Sequence, residues 1–160
     1  MITEFFNENA TLVLFLHVIS AIIWVGGMIA IRLAVHPAMQ NIEESKVKMA
    51  RTLEILRNFF SIVTIAVALI IVTAVVMSVG MGFKGTDLSV IVHVKEAIWL
   101  IMTLNFGVMI YRRNRAERAF LSGAMQEAKE MLEPLAKFMI PVNIILGIVA
   151  LYLGITLRGF

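Results

Sequence analysis

The sequence predicts an all-α protein, an integral membrane four-helix bundle formed by a single domain of residues 1–160. Of the 160 residues, 60% are hydrophobic, whereas soluble domains contain about 45–50% apolar residues. Four apolar segments, at about 11–35, 59–81, 90–111 and 138–157, are long enough to cross the roughly 30 Å hydrocarbon core of a bilayer. Most of the charges lie between these segments, which is typical of a chain that crosses a membrane several times.

The cysteine content, the net charge and the N-terminal sequence exclude some types of site and binding partner. The chain has no cysteine, which excludes disulfides and thiolate metal sites. Its net charge of +3 is explained by membrane topology, so no nucleic-acid partner is predicted. The N-terminal stretch MITEFFNENA is acidic and lacks the basic region of a cleavable signal peptide, so the first span is expected to be retained.

The distribution of basic residues predicts the orientation. Eleven of the 14 lysines and arginines lie in or beside the two long connections, between spans one and two and between spans three and four. By the positive-inside rule both connections face the cytoplasm and both termini lie outside, as in a bacterial cytoplasmic (inner) membrane. Apolar residues recur at helical spacing in both connections, which predicts cytoplasmic helical extensions of the spans.

The four spans differ in polarity. Span one contains an uncharged run, LVLFLHVISAIIWVGGMIAI, that is interrupted by His17, and span two has no charged residue. Span three carries His93, Lys95 and Glu96 near its start. Span four contains Pro141, which a membrane helix tolerates when its neighbours satisfy the freed carbonyl. The short, glycine-rich link between spans two and three predicts an antiparallel hairpin.

Two of the three histidines are predicted to lie at the same depth. His17 and His93 are both within roughly 10 Å of the outer boundary, counting 1.5 Å per helical residue. Two imidazoles at one depth on two helices are typical of the axial ligands of a b-type haem. His36 lies about 28 Å further along span one and cannot share a small site with His17.

Other interpretations of these residues are open. An intramembrane histidine can be a neutral residue that is hydrogen-bonded to another helix. The small residues around Trp24 leave room for a macrocycle or simply allow close helix packing. Lys95 points nearly opposite His93 around the helix, so it would pair with a haem propionate or another carboxylate, or extend to the boundary. Met77 and Met81 could bind Cu(I) or serve as packing residues.

Two motifs carry a resemblance to known families. The stretch LHVISAIIWVGGMIAIRLAVHPAM resembles the first helix of the bacterial HemJ-type protoporphyrinogen oxidases and of the CopD-like copper-resistance membrane domains. Arg32, Leu33 and His36 match the Arg-Leu and histidine that close this helix in the HemJ type. VHVKEAIWLIM resembles the His-x-Lys helix of the same group, with His93 and Lys95 on its motif. The fourth span looks more like that of the CopD-like relatives.

The resemblance implies a four-helix membrane protein that binds haem b through the histidines of the first and third helices. In the HemJ type the reaction is a six-electron oxidation of protoporphyrinogen IX, with electrons passed to a quinone or the respiratory chain. The chain departs from that type in having a valine where a tyrosine usually precedes the last histidine of helix one.

The leading hypothesis is therefore a haem b redox protein of the inner membrane, an oxidoreductase that transfers electrons to or from the quinone pool or oxidises a porphyrinogen. One alternative is a CopD-like protein that binds Cu(I) through Met77, Met81 and the histidines, and another is an assembly or scaffold subunit without a cofactor. Membrane lipid, quinone or porphyrin are the expected partners, and a homo-oligomer is a further possibility. The candidate cofactor-binding residues are His17, Trp24, Arg32, His36, His93 and Lys95, with His17 and His93 as iron ligands.

Overall fold

The computed structural model describes residues 2–80 and 89–156, and within them it contains helices and no strand. Four helices follow one another: α1 (Ile2–Gln40), α2 (Ser45–Gly80), α3 (Ser89–Leu121) and α4 (Met125–Thr156). Each is long and apolar enough to cross a membrane, which confirms the predicted helical class and indicates a multi-pass membrane protein. The predicted outward orientation of both termini stays a prediction.

Short connections make the helices antiparallel neighbours. Residues 41–44 join α1 to α2, and residues 122–124 join α3 to α4. In the second turn Gly123 has a φ of 82°, and the amide of Ala124 donates to the carbonyl of Ala119, which ends α3 in a Schellman motif. We call the end with these two turns the basic end, and the opposite end the terminal end. The predicted 80–87 hairpin link lies, after Gly80, outside the described residues.

The bundle closes around one apolar core. Contacts join α1 to α2, α2 to α3, α3 to α4 and α4 back to α1. At its centre the ring of Phe106 packs against Trp24, at 5.9 Å between centroids, and edge-on against Phe60, at 5.3 Å. The side chains of Met28, Val63 and Met109 are completely buried.

The helices continue past the predicted spans at the basic end. α2 begins at Ser45 rather than near 59, α3 continues to Leu121, and α4 begins at Met125. A second cluster fixes these extensions to one another through five small or flexible apolar residues, Met49, Leu53, Ala116, Ala119 and Ala128. The predicted helical extensions at the starts of α2 and α4 are confirmed, while their cytoplasmic location stays a prediction.

Arginines and asparagines of α3 join it to its neighbours by polar contacts. Pro134 has no N–H, so the carbonyl of Glu130 lacks its helical donor, and Arg112 donates to that oxygen at 3.0 Å. Deeper in the bundle, the Asn105 amide donates to Oδ1 of Asn143 at 2.8 Å and to the carbonyl of Met139 at 2.9 Å. Hydrogen bonds of this kind fix the register of α4 on α3.

Candidate functional site

His17 lies on the side of α1 that faces α2. Its Nδ1 is 2.9 Å from Oγ1 of Thr73, which is 56 residues away in the sequence. The Thr73 hydroxyl donates its one proton to the carbonyl of Leu69, at 2.6 Å, or of Ile70, at 3.1 Å. It therefore accepts from Nδ1–H of His17, because a hydroxyl has a single proton to donate. In the neutral ring this leaves the lone pair on Nε2, the tautomer that suits a metal ligand.

Lys95 also points into the bundle, from α3. It is close enough to the His17 ring to act on it electrostatically. Its ammonium lies against Gly154 of α4, where a Cβ would come within 3.1 Å of Nζ. No carboxylate or hydrogen-bond acceptor contacts this ammonium among residues 2–80 and 89–156. An unpaired cation within a membrane-spanning helix is costly and is a candidate functional group.

His17, Thr73, Lys95 and Gly154 thus form what we call the His17 layer, with one residue from each helix. Towards the centre of the bundle, Oγ of Ser20 and Nε1 of Trp24 follow His17 along α1, and both atoms are buried without a hydrogen-bond partner. Buried polar atoms normally have a partner, so these two indicate a place where a bound group or water would contact the protein.

His93 occupies a different side of α3. Its side chain is 75% exposed, and its Nδ1 lies 3.1 Å from Oε2 of Glu96, one turn further on, as the helical spacing predicts. Lys95 faces inward from the same helix, which agrees with its predicted position nearly opposite His93. The structure therefore brings Lys95, and not His93, to His17. The axial pairing of His17 with His93 stays a prediction, and it requires α3 to turn His93 towards α1.

The remaining candidates are not members of the His17 layer. Trp24 is a core residue, 2% exposed, and its ring packs on Phe106. Arg32 and His36 are one turn apart near the basic end of α1, where they line a groove between α1, α2 and α4. They are about 22 and 28 Å along the helix from His17, so they cannot contact a group that is bound to it.

Met77 follows Thr73 by one turn of α2 and is half-buried, on the terminal-end side of the His17 layer. Met81, its predicted partner as a copper ligand, lies outside the described residues. Within the described part of the chain, no group of three or more histidine, cysteine, aspartate or glutamate side chains is arranged to hold a metal ion.

Sequence reasoning missed two members of the layer. Thr73 is a hydroxyl within a long apolar run of span two, and that isolated polar residue was the available signal. Gly154 gave no signal, because a single glycine in an apolar helix does not indicate which side chain it accommodates.

The donor set of the His17 layer fits a haem with one protein imidazole. It offers a histidine Nε2 whose lone pair is fixed by a hydrogen bond on the other ring nitrogen, which is the usual arrangement for a metal-binding histidine. It also offers the unpaired ammonium of Lys95 for a propionate, and the unpartnered Oγ of Ser20 and Nε1 of Trp24 follow His17 along α1. Within the described chain it does not offer a second imidazole.

Fold and site together define a helical membrane protein with a histidine and a lysine inside a four-helix bundle. Comparisons of the chain with protein-family models, with curated proteins and with solved structures find no match. The functional interpretation therefore depends on the residues of the His17 layer and on the motifs in α1 and α3.

Proposed function

We propose that this chain is a haem b-binding redox protein of the bacterial cytoplasmic membrane, in which Nε2 of His17 would bind the iron and Lys95 would pair with a propionate. The observation that carries the proposal is an unpaired Lys95 ammonium that points into the bundle interior, together with an imidazole in the same interior whose lone pair is on Nε2. A bound haem satisfies both, since it provides a metal for the imidazole and a carboxylate for the cation.

The bound haem would supply one-electron redox chemistry at its iron. The chain's own residues bind and orient it. Thr73 holds the His17 ring by its Nδ1–H, Lys95 provides positive charge, and the apolar core around Trp24 keeps water out. The site lies towards the terminal end of the bundle, where a hydrophobic partner such as a quinone can approach from the lipid.

The proposed reaction is electron transfer to or from the quinone pool. Oxidation of a porphyrinogen is the specific reaction that the HemJ-type motifs in α1 and α3 favour. In both cases the protein is an oxidoreductase, and both termini are proposed to lie outside the membrane.

An absorption spectrum of the full-length protein, purified in detergent from haem-replete cells, tests the proposal. We expect a Soret band that shifts on addition of dithionite, and a pyridine haemochrome spectrum of the b type. A colourless preparation would contradict the proposal, as would a protein that contains copper and no porphyrin.

Replacing His93 by alanine distinguishes one axial imidazole from two. Because the His93 ring points outward and is bonded to Glu96, we expect His93→Ala to retain the Soret band at its wild-type position. The measurement compares the position and intensity of the Soret band in wild type and variant, purified in parallel. Loss or displacement of the band would show instead that both histidines are ligands.

A copper site is the second candidate, and the position of Met77 one turn from Thr73 favours it. A thioether and an imidazole are suitable ligands for Cu(I). Metal analysis of the same purified protein decides between the two, because this alternative predicts copper without a haem spectrum.

A further inference from the structure

A groove of about 350 Å³ opens between α1, α2 and α4 at the basic end, far from the His17 layer. It begins where α1 widens into a π-helical turn at Ile31–Val35, just before Pro37. α1 contacts α4 mainly through residues 22–30, which precede this turn.

Basic side chains from all three helices line this groove. Arg32 and His36 come from α1, Lys48 from α2 and Lys129 from α4. Lys48 contacts only the neutral Gln40, through its side-chain and backbone oxygens at 3.2 and 3.4 Å. Arg32 and Lys129 have no carboxylate partner within the described ranges 2–80 and 89–156.

The single acidic residue that lines the groove is paired elsewhere. Glu133 lies 3.9 Å from Lys137, the residue one turn further along α4. The cationic groups of the groove are therefore not neutralised by the protein itself. Complementarity of charge indicates an anionic ligand.

The walls of the groove are apolar. Side chains such as Val35, Met39, Ile55 and Leu132 separate the cationic groups from the bundle core. A small inorganic anion would leave these walls in contact with water, whereas a ligand with an anionic head and an apolar body would cover them. Basic pockets between membrane helices bind the headgroups of anionic lipids in this way.

We propose that this groove binds one anionic phospholipid, with its phosphate between Arg32 and Lys129 and its glycerol and upper acyl chain along the apolar wall. Lys48 contributes further positive charge, and the His36 ring contributes a hydrogen-bonding group for the headgroup. The site does not depend on the proposed haem, since it lies about 22 Å or more along α1 from His17.

Native mass spectrometry of the full-length protein in detergent tests the proposal, with phosphatidylglycerol and phosphatidylcholine of identical acyl chains as probes. We expect one tightly retained phosphatidylglycerol and no comparable phosphatidylcholine adduct. Arg32→Gln with Lys129→Gln should weaken phosphatidylglycerol binding about 30-fold, because each basic residue near an anionic headgroup contributes roughly fivefold.

A matched control removes two positive charges elsewhere at the same end. Lys46 and Arg118 are exposed, do not line the groove and form no ion pair among the described residues. Lys46→Gln with Arg118→Gln should leave the tightly bound lipid in place. An equal loss in both double variants would overturn the site in favour of general attraction to the basic end.

Three further measurements separate the proposed lipid site from misfolding, from a site for free phosphate and from the haem proposal. If the charge variant is poorly folded, Ala136→Phe fills the groove without changing its charge and should also expel the lipid. Inorganic phosphate at millimolar concentration should not displace phosphatidylglycerol, and displacement would show a site for the free anion. His17→Ala should bind the lipid as the wild type does, which separates this proposal from the haem proposal.

Discussion

Replacing His17 by alanine is expected to abolish the haem spectrum of the purified protein. The imidazole is the one ring in the bundle interior that the structure holds in a metal-binding tautomer, through the Nδ1–H bond to Thr73. Without it, the described residues of the layer offer the iron no other imidazole. The measurement is the ratio of Soret to protein absorbance, together with the iron content per chain.

Two companion variants and a rescue experiment show whether the loss comes from ligation or from misfolding. His36→Ala removes a histidine from the same helix at the opposite end, and it should keep the spectrum. Thr73→Val keeps the shape of the side chain and removes the hydroxyl, which should weaken haem binding about 10- to 100-fold, as is usual for groups that orient a metal ligand. Added imidazole should restore part of the band in His17→Ala.

An unchanged Soret band in His17→Ala would exclude His17 as the ligand. A protein that loses the band, keeps its helical circular dichroism and is not rescued by imidazole would point to His17 as a structural residue. In that case the hydrogen bond to Thr73 would serve to join α1 to α2, which is the ordinary role of a neutral intramembrane histidine.

The helices and their extent could be predicted because a backbone in lipid must satisfy its own hydrogen bonds, so long apolar segments form helices. The extension of α2 to Ser45 followed from the helical periodicity of the apolar residues that precede its predicted span. The opposite directions of His93 and Lys95 also followed from the sequence, since they depend only on the angle between neighbouring residues of one helix.

The rotation of each helix about its axis could not be predicted in the same way. Lipid-facing and core-facing residues are equally apolar in a membrane protein, so hydropathy does not distinguish Phe15, which is 61% exposed, from Val63, which is completely buried. For that reason the sequence showed only that two histidines lie at the same depth, which suggested an axial pair. The inward direction of Lys95 and its contact with Gly154 became visible only in the structure.

The second large expected effect is a loss of stability on substitution of Gly147, where α4 packs on α1. A Cβ at this position would lie 2.5 Å from one methyl group of Val25 and 3.1 Å from the other. Valine has a branched Cβ and few rotamers, so it cannot easily turn away. Overpacking a core costs about 1–3 kcal/mol, and the preference of a helix for alanine over glycine offsets about 1 kcal/mol of this, so Gly147→Ala is expected to destabilise the bundle by up to about 2 kcal/mol.

Gly107 of α3 is the matched control, because a Cβ there would meet no atom within 4 Å. Alanine favours a helix interior over glycine by about 1 kcal/mol, so Gly107→Ala should be neutral or slightly stabilising. Thermal unfolding of both variants in the same detergent, followed by circular dichroism, measures the difference. Equal midpoints would contradict the close approach of α1 and α4. Because that contact brings the helix carrying His17 against the helix carrying Gly154, a lower midpoint for Gly147→Ala alone would also support the geometry on which the His17 layer depends.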